Sequence, residues 1–285
     1  MTSLTTEDVG VAAVTSTELS VEHGRRLAAV LDEGIDIKDG TELPLLWHWV
    51  YFAPPVATSD LGHDGHPRMA PGGPTADLPR RMWAGGNVRQ HAPLVFGRPA
   101  TRRSRVAKAD RKSGKSGDLL VVTVEHEIEQ DGRVAIVEAQ NLVYLAASSA
   151  QVPAPVPSGE VPAAPDGGWA DVVTMDPVRL FRFSALTFNS HRIHYDLPYA
   201  TGEEGYPGLV VHGPLTAILL SGSARQRLGV GAGFEFRATA PLFAGAPFTL
   251  VGTPGEGSVA LEAVRVDGTT SMTATFTTAT AASHA

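Results

Sequence analysis

The sequence of 285 residues contains no cysteine. Disulfide bonds, thiolate nucleophiles and zinc or iron–sulfur sites held by cysteine are therefore excluded. Long apolar runs are also lacking, since no stretch approaches the roughly 18 residues of a membrane span. The first residues carry neither the basic segment nor the apolar segment of a secretory signal. We therefore expect a cytoplasmic protein without membrane contact.

Positive charge is in short supply as well. The 23 basic residues are outnumbered by 30 acidic ones, and the net charge of −7 argues against a nucleic-acid-binding protein. Apolar residues make up 43% of the chain and charged residues 19%, a composition typical of a globular enzyme. A chain of this length forms one large domain or two ordinary ones.

A proline- and alanine-rich stretch divides the chain. Five prolines occur between residues 146 and 168 with no apolar periodicity, which is typical of a semi-extended linker. We therefore predict an N-terminal domain of residues 1–146, a linker of residues 147–168 and a C-terminal domain of residues 169–285.

Both halves show helical material followed by consecutive strands. Apolar spacing predicts a helix over 17–34 with Gly34 as its C-cap, and alternation around Asp131-Gly132 predicts a hairpin of 118–129 with 134–145. In the second half, Asp176-Pro177 begins one helix and an apolar helix follows. That helix and the closing strands are predicted at 214–227, 233–240, 246–252, 258–266 and 271–278. The pattern favours an α+β fold in which a curled antiparallel sheet wraps one helix.

Three polar features outside this pattern are each explained by a structural role rather than a functional one. The loop around His63, Asp64 and His66 favours an exposed polar loop over a metal site, because its residues fix no coordination geometry. His126 falls on the apolar face of its strand, which favours a packed core histidine over a catalytic one. The basic run over 102–115 favours a solvated strand edge, with contact to ligand phosphates as the alternative.

The most informative stretch is 187–196, Thr-Phe-Asn-Ser-His-Arg-Ile-His-Tyr-Asp, followed by His212-Gly213-Pro214 at a helix start. A histidine both accepts and donates a proton near neutral pH. The first amides of a helix have no intrahelical partner and can bind a developing oxyanion. This combination indicates hydration or dehydration of a thioester. A metal pair of His191 and His194 is the alternative, although no third ligand is evident.

These motifs resemble the MaoC-like R-specific enoyl-thioester hydratases. That family carries Asp-x-Asn-Pro-x-His followed 17 or 18 residues later by His-Gly, and here 189–194 occupies the first motif with His212-Gly213 as the second. The closer resemblance, which includes 46–49 and 79–86, is to its double-hotdog branch of mesaconyl-C4-CoA hydratases and type 2 hydroxyacyl-thioester dehydratases. The resemblance implies a double hotdog fold, each half a central helix wrapped by a curled antiparallel sheet. It also implies a non-catalytic N-terminal half that covers the acyl chain.

The resemblance also implies roles for individual residues. His194 keeps the catalytic position and Gly213 supplies the oxyanion-hole amide, whereas Asn189 stands where the wider family has an acid. His194 would then act as both base and acid with Asn189 holding the water, or His191 would supply the second proton carrier. Four arginines are candidates to bind CoA phosphates or a free substrate carboxylate, because the guanidinium fork matches both anions: Arg80, Arg81, Arg182 and Arg192. Tyr195 and His212 are further candidate substrate-binding residues.

The sequence thus predicts a lyase that reversibly hydrates an enoyl-CoA, of the mesaconyl-C4-CoA type. No cofactor and no metal are expected, and a homodimer is the expected assembly. Three alternatives stay open: a 3-hydroxyacyl-ACP dehydratase of fatty-acid or polyketide synthesis, a non-catalytic acyl-thioester-binding module, and a thioesterase.

Overall fold

A computed structural model describes residues 10, 12–68, 77–78, 80–114, 117–146 and 162–279. The greater part of the predicted linker lies outside these residues. The strands are β1 (Ala12–Glu18), β2 (Arg80–Gln90), β3 (Pro99–Gly114), β4 (Gly117–Gln130), β5 (Arg133–Leu145), β6 (Trp169–Thr174), β7 (Gly231–Ala238), β8 (Pro247–Pro254), β9 (Ser258–Arg265) and β10 (Thr270–Thr278). The α-helices are α1 (Val21–Leu31), α2 (Pro177–Leu186), α3 (Leu197–Gly202) and α4 (Gly213–Leu228).

The ten strands form one sheet that runs through both halves of the chain. Its order is β1-β3-β4-β5-β2-β7-β10-β9-β8-β6, and neighbouring strands are antiparallel. The halves join where β2 pairs with β7, with Gly85 opposite Arg237 and Gly86 opposite Phe236. A side chain at Gly86 would overlap the Ala139 carbonyl of β5, so this position requires glycine. The halves therefore share a continuous backbone ladder.

In the C-terminal half the sheet curls around α4. This helix is apolar around most of its circumference, so burial on several sides satisfies it better than one solvent-facing stripe. Leu215, Ile218 and Leu220 are all buried there, and α4 packs against β7, β8, β9 and β10. The helix ends at Gly229, which has a φ of 84°. The helix predicted over 214–227 is confirmed.

In the N-terminal half the predicted helix over 17–34 is shorter than expected. Residues 12–18 pair with β3 as strand β1, so α1 begins only at Val21 behind the N-cap Ser20. It ends at Asp32, which adopts the left-handed conformation with a φ of 56°, two residues before the predicted cap at Gly34. Pairing with a distant strand has overridden the local helical pattern. The predicted hairpin, in contrast, is confirmed as β4 and β5.

One hydrophobic core spans the two halves. Buried side chains of α1 and β2 belong to the same cluster as those of α4 and β7, including Leu27, Val88, Leu215 and Phe234. The domain boundaries at 146 and 169 therefore stay a proposal about chain organisation. None of the helices that the structure describes is long and apolar enough to cross a membrane.

Candidate active site

Residues of both halves line a cavity of about 880 Å³. The C-terminal half supplies the start of α4 and the segment that follows α2, whereas the N-terminal half supplies parts of β2, β3 and β5 and the loop before β2. Eight of the ten predicted site residues line this cavity: Arg80, Arg81, Asn189, His191, His194, Tyr195, His212 and Gly213.

His194 closes a short 3-10 turn and is only 7% exposed. Its Nδ1 lies 2.7 Å from the carbonyl oxygen of Val210. A carbonyl oxygen can only accept, so Nδ1 carries the proton and Nε2 is left with a free lone pair. Burial lowers the pKa of His194 to about 4, against a smaller opposing effect of the Val210 carbonyl. The imidazole is therefore neutral at pH 7 and able to accept a proton.

His212 supports this ring. The two imidazoles stack with centroids 3.6 Å apart and planes 19° from parallel. His212 is 1% exposed, its Nε2 lies 2.8 Å from Oγ of Ser184, and its Nδ1 has no partner among the described residues. Burial, followed by the charges of His194 and His191, lowers the pKa of His212 well below its usual value. Both stacked rings are thus held neutral.

The start of α4 is open toward the cavity. His212 is the N-cap residue, yet its side chain makes no capping hydrogen bond. The Gly213 N–H has no acceptor within the part of the chain that the structure describes. A Cβ atom at Gly213 would lie 3.0 Å from Cε3 of Trp83, so glycine leaves room beside the indole. An unpartnered amide at a helix N-terminus is suited to stabilising negative charge.

Asn189 is turned toward its own backbone. Its Oδ1 accepts a hydrogen bond of 3.0 Å from the His191 N–H, and the preceding Phe188 has a φ of 49°. This side-chain turn engages Oδ1 with the backbone, and an amide cannot carry a proton. Asn189 therefore shapes the turn that presents His191.

The loop before β2 departs from its prediction as an exposed polar loop. His63 is exposed, but Asp64 and His66 line the cavity. Backbone contacts bring them there: the Arg192 N–H donates to the Asp64 carbonyl at 2.9 Å, and Ser190 Oγ donates to the Gly65 carbonyl at 2.6 Å. The Gly-His-Asp-Gly-His pattern shows which residue types are present. It could not predict their place in the cavity, because their contact partners lie 125 or more residues away in the chain.

Asp64 and His66 form a hydrogen-bonded pair against His191. His66 Nδ1 lies 2.9 Å from Asp64 Oδ2, and the His66 and His191 rings have centroids 3.9 Å apart. Burial raises the pKa of Asp64, but the His66 contacts outweigh it and hold the value at about 2. Burial and the charges of His66 and His194 lower the pKa of His191 to about 2. These three side chains also have the spacing of metal ligands.

Two predicted substrate ligands do not line the cavity. Arg182 is exposed and donates weakly to the Ala29 carbonyl of α1, at 3.5 Å. Arg192 is engaged by Asp196 through two hydrogen bonds of 2.8 and 2.9 Å, and its guanidinium lies 4.2 Å from the centre of the Tyr199 ring. The existing partners of Arg192 explain why it is turned away from the cavity.

The basic run also differs from its prediction as a solvated edge. Strand β3 pairs with β1 on one side and β4 on the other over its first half. Arg103 and Arg105 point outward as expected, but Arg102 is partly buried and lines the cavity. His126, on β4, is 6% exposed with its Nδ1 2.7 Å from Ser104 Oγ, so its prediction as a core histidine is confirmed.

A curled antiparallel sheet around a central helix, with a neutral histidine beside the helix start, defines a hotdog-fold lyase of acyl thioesters. The model of the family "Hydroxyacyl-thioester dehydratase type 2" matches residues 46–244. The chain belongs to this family and is an enoyl-thioester hydratase or dehydratase, a hydro-lyase. The resemblance and activity class predicted from the sequence are confirmed, and a non-catalytic module is excluded.

Relatives support the same conclusion. The chain is 50% identical over 234 residues to the mesaconyl-C(4)-CoA hydratase of Chloroflexus aurantiacus, with 82% of each chain covered. It is 28% identical over 238 residues to the mitochondrial hydroxyacyl-thioester dehydratase type 2 of Schizosaccharomyces pombe, with 74% of this chain and 77% of the relative covered.

Solved structures share the fold. HtdX from Mycobacterium tuberculosis superposes with a TM-score of 0.69 at 18% identity, covering 94% of this chain and 99% of that one. A second Mycobacterium tuberculosis protein, described as having a double hotdog fold, gives a TM-score of 0.56 at 14% identity, with 95% and 96% covered. The predicted α+β double hotdog fold is confirmed.

Proposed function

We propose that this enzyme reversibly hydrates an enoyl-CoA whose acyl group carries a second carboxylate, of the mesaconyl-C4-CoA type. The observation that carries the chemistry is the meeting of the His194 imidazole and the free Gly213 amide at one cavity. The substrate class is supported by the 50% identity to the mesaconyl-C(4)-CoA hydratase.

In the proposed reaction His194 works as the base and then as the acid. A water oxygen bonds to Cβ while one water proton moves to Nε2 of His194, whose Nδ1 keeps its proton and donates it in a hydrogen bond to the Val210 carbonyl. The π electrons pass to Cα and the thioester carbonyl, where the Gly213 N–H stabilises the oxyanion. Cα then takes the proton from Nε2. Water is added without a cofactor, and His194 returns to its neutral state.

The Asp64–His66 pair and His191 complete this proposal. Asp64 fixes the Nδ1 proton of His66, which leaves Nε2 of His66 as an acceptor, and the ring lies against His191. A carboxylate next to an imidazole stabilises its protonated form. These residues from both halves would hold the catalytic water and assist His194 in moving its proton, which the Asn189 amide cannot carry.

A second candidate function differs in the carrier of the acyl group, which would be ACP instead of CoA. The hydroxyacyl-thioester dehydratase family also suits a 3-hydroxyacyl-ACP dehydratase, and the 28% identity to the mitochondrial relative keeps this candidate open. Rates with matched CoA and ACP thioesters decide between them. The cytoplasmic location and the homodimer, both predicted from the sequence, stay predictions.

The test is a panel of enoyl-CoAs followed by absorbance of the enoyl-thioester band. We expect hydration of mesaconyl-C4-CoA and, more slowly, of crotonyl-CoA. The proposed function would be contradicted if the absorbance of the enoyl-thioester band stayed unchanged with both substrates, whether they are bound to CoA or to ACP. Release of free CoA without hydration would instead indicate the thioesterase.

A further inference from the structure

Arg102 places a cation in the part of the cavity that the N-terminal half lines. Side chains alternate along β3, so the neighbouring Arg103 faces outward, 3.8 Å from Glu129, while Arg102 faces the cavity. The Phe52 ring lies beside Arg102, and Trp49, which lines the same cavity, donates to Glu138, the acid whose charge acts on Arg102. A partly buried guanidinium is costly unless partners satisfy its charge and its N–H groups.

Protein partners satisfy only part of this guanidinium. Nη2 of Arg102 donates to the Phe52 carbonyl at 3.2 Å, and the charge lies 5.1 Å from the centre of the Phe52 ring. The buried Nε has no acceptor, and Arg102 forms no salt bridge with an acid among the described residues. Its donors and its charge are therefore incompletely matched.

Glu138 is the acid whose charge acts on Arg102, but its oxygens are already occupied. His48 Nε2 lies 2.9 Å from one oxygen, while Trp49 Nε1 and Gln140 Nε2 donate to the other at 2.8 and 2.6 Å. Burial raises the pKa of Glu138, but the contacts with His48 outweigh it and hold the pKa at about 2. Glu138 is thus a fixed anion that makes no direct pair with Arg102.

The chemistry of the ligand follows from this arrangement. A purely apolar acyl chain would desolvate the guanidinium further and return no hydrogen bond. A carboxylate accepts from the guanidinium fork and neutralises its charge. The CoA phosphates fit less well, because the phenyl ring of Phe52 beside Arg102 suits an acyl group rather than a nucleotide.

We infer that Arg102 binds the free carboxylate of a dicarboxylic enoyl thioester and so determines the acyl specificity of the enzyme. The inference rests on the proposed hydratase function and adds the residue that selects its substrate. It also assigns the N-terminal half a part in recognition.

The experiment compares kcat/KM for mesaconyl-C4-CoA, its free-acid methyl ester and crotonyl-CoA. In the wild type we expect the free acid to be preferred over the ester. Arg102→Met should lower kcat/KM for mesaconyl-C4-CoA by about 100-fold, as for the loss of one partner of a buried charge pair. The same variant should leave crotonyl-CoA hydration unchanged and reduce the preference for the acid. Arg102→Lys, which keeps the charge but loses the fork, should give an intermediate loss.

Arg103→Met is the matched control, because it removes an exposed guanidinium from the adjacent position of the same strand. It should change none of the three rates. Equal losses of Arg102→Met on mesaconyl-C4-CoA and crotonyl-CoA would show a merely structural role and overturn the inference, as would no loss on either. Thermal unfolding of each variant shows whether the fold is retained.

A binding measurement on the wild type provides a second readout that requires no variant. Succinyl-CoA, which carries a carboxylate, should inhibit crotonyl-CoA hydration more strongly than butyryl-CoA does. Equal inhibition would overturn the inference while leaving the hydratase function intact. Failure of the wild type to hydrate any of the thioesters would count against the proposed function itself.

Discussion

Helices α1 and α4 differ in how their N-termini are capped. In α1 the Ser20 Oγ accepts from the His23 N–H at 3.3 Å, so the helix caps itself. In α4 the N-cap is His212, whose ring is directed to Ser184 and His194 and leaves the Gly213 amide free. The N-terminus of α1 is thus capped by a side chain, and that of α4 is not. Under the proposed mechanism, the uncapped start of α4 is the feature that gives the C-terminal half its reactivity.

The two halves also place different polar groups near the cavity. The N-terminal half holds an ionised Glu138 and a cationic Arg102, whereas the C-terminal half holds the neutral rings of His194 and His212. Fixed charges suit recognition of a charged group, and neutral imidazoles suit proton transfer. In the proposed mechanism the N-terminal half recognises the substrate and the C-terminal half transfers the proton, and the loop of Asp64 and His66 contacts the C-terminal half.

The largest effect is expected at the open helix end. His194→Ala should lower kcat/KM for enoyl-CoA hydration by about 1,000-fold, because a positioned proton carrier is lost. The measurement is the absorbance of the enoyl-thioester band, with circular dichroism to establish that the fold is intact. Residual activity at the wild-type level would remove His194 from the mechanism.

The next largest effect is expected in the loop before β2 that carries Asp64 and His66. His66→Gln should lower kcat/KM by about 100-fold, the low end of the contribution of a proton carrier. Asp64→Asn should alter the pH profile of kcat/KM, because the partner that stabilises protonated His66 is removed.

The control for this loop is His63→Gln, which removes an exposed imidazole from the same segment. It should retain wild-type activity. If all three variants lose activity equally, the loop is only a structural support and the N-terminal half contributes no proton chemistry.

A smaller effect concerns acid stability in the N-terminal half. Burial lowers the pKa of His126 to about 4, partly offset by Glu138 and reinforced by Arg102 and His48. The unfolded chain, with a histidine pKa of about 6.5, then binds one more proton between these values. Between pH 6.5 and pH 4, His126 therefore lowers the free energy of unfolding by about 1.4 kcal/mol for each unit that the pH falls.

His126→Gln should remove that contribution and flatten the pH dependence of the free energy of unfolding without reducing activity at pH 7. Urea unfolding at pH 6.5, 5.5 and 4.5 measures the slope. An unchanged slope would show that His126 takes up its proton in the folded state.

The smallest effect sharpens the contrast between the helix ends. Ser20→Ala should lower the free energy of unfolding by about 1 kcal/mol, since an N-cap hydrogen bond is lost. Hydration of enoyl-CoA should not change, because the start of α1 has no part in the reaction. A loss of activity in this variant would mean that both helix ends serve the site.

Local pattern predicted those elements whose signals lie within a few residues. The β4–β5 hairpin follows from alternation around Asp131-Gly132, and α2 begins at Asp176-Pro177 as its capping pattern predicts. The closing strands β7 to β10 match their predicted positions to within a few residues. In each case the period of the apolar side chains and the turn residues carry the information.

Features that depend on distant partners were missed or wrong. The start of α1 was displaced because residues 12–18 pair with β3. Asp64 and His66 enter the site through contacts with Ser190 and Arg192, which no local pattern announces. The inward direction of Arg102 within a basic run follows from the register of β3 in the sheet.

The sequence by itself determined the family, the hotdog fold and the approach of His194 to the helix start at Gly213, because fixed spacing along the chain encodes them. Tertiary structure alone decided the protonation of that site. The Val210 carbonyl sets the tautomer of His194, burial beside His212 keeps the ring neutral, and the N-terminal half adds His66 and Arg102. The physical reason is that the pKa and the tautomer of a histidine depend on desolvation and on hydrogen-bond partners. Residues far apart in the chain supply both, and only the folded structure brings them together.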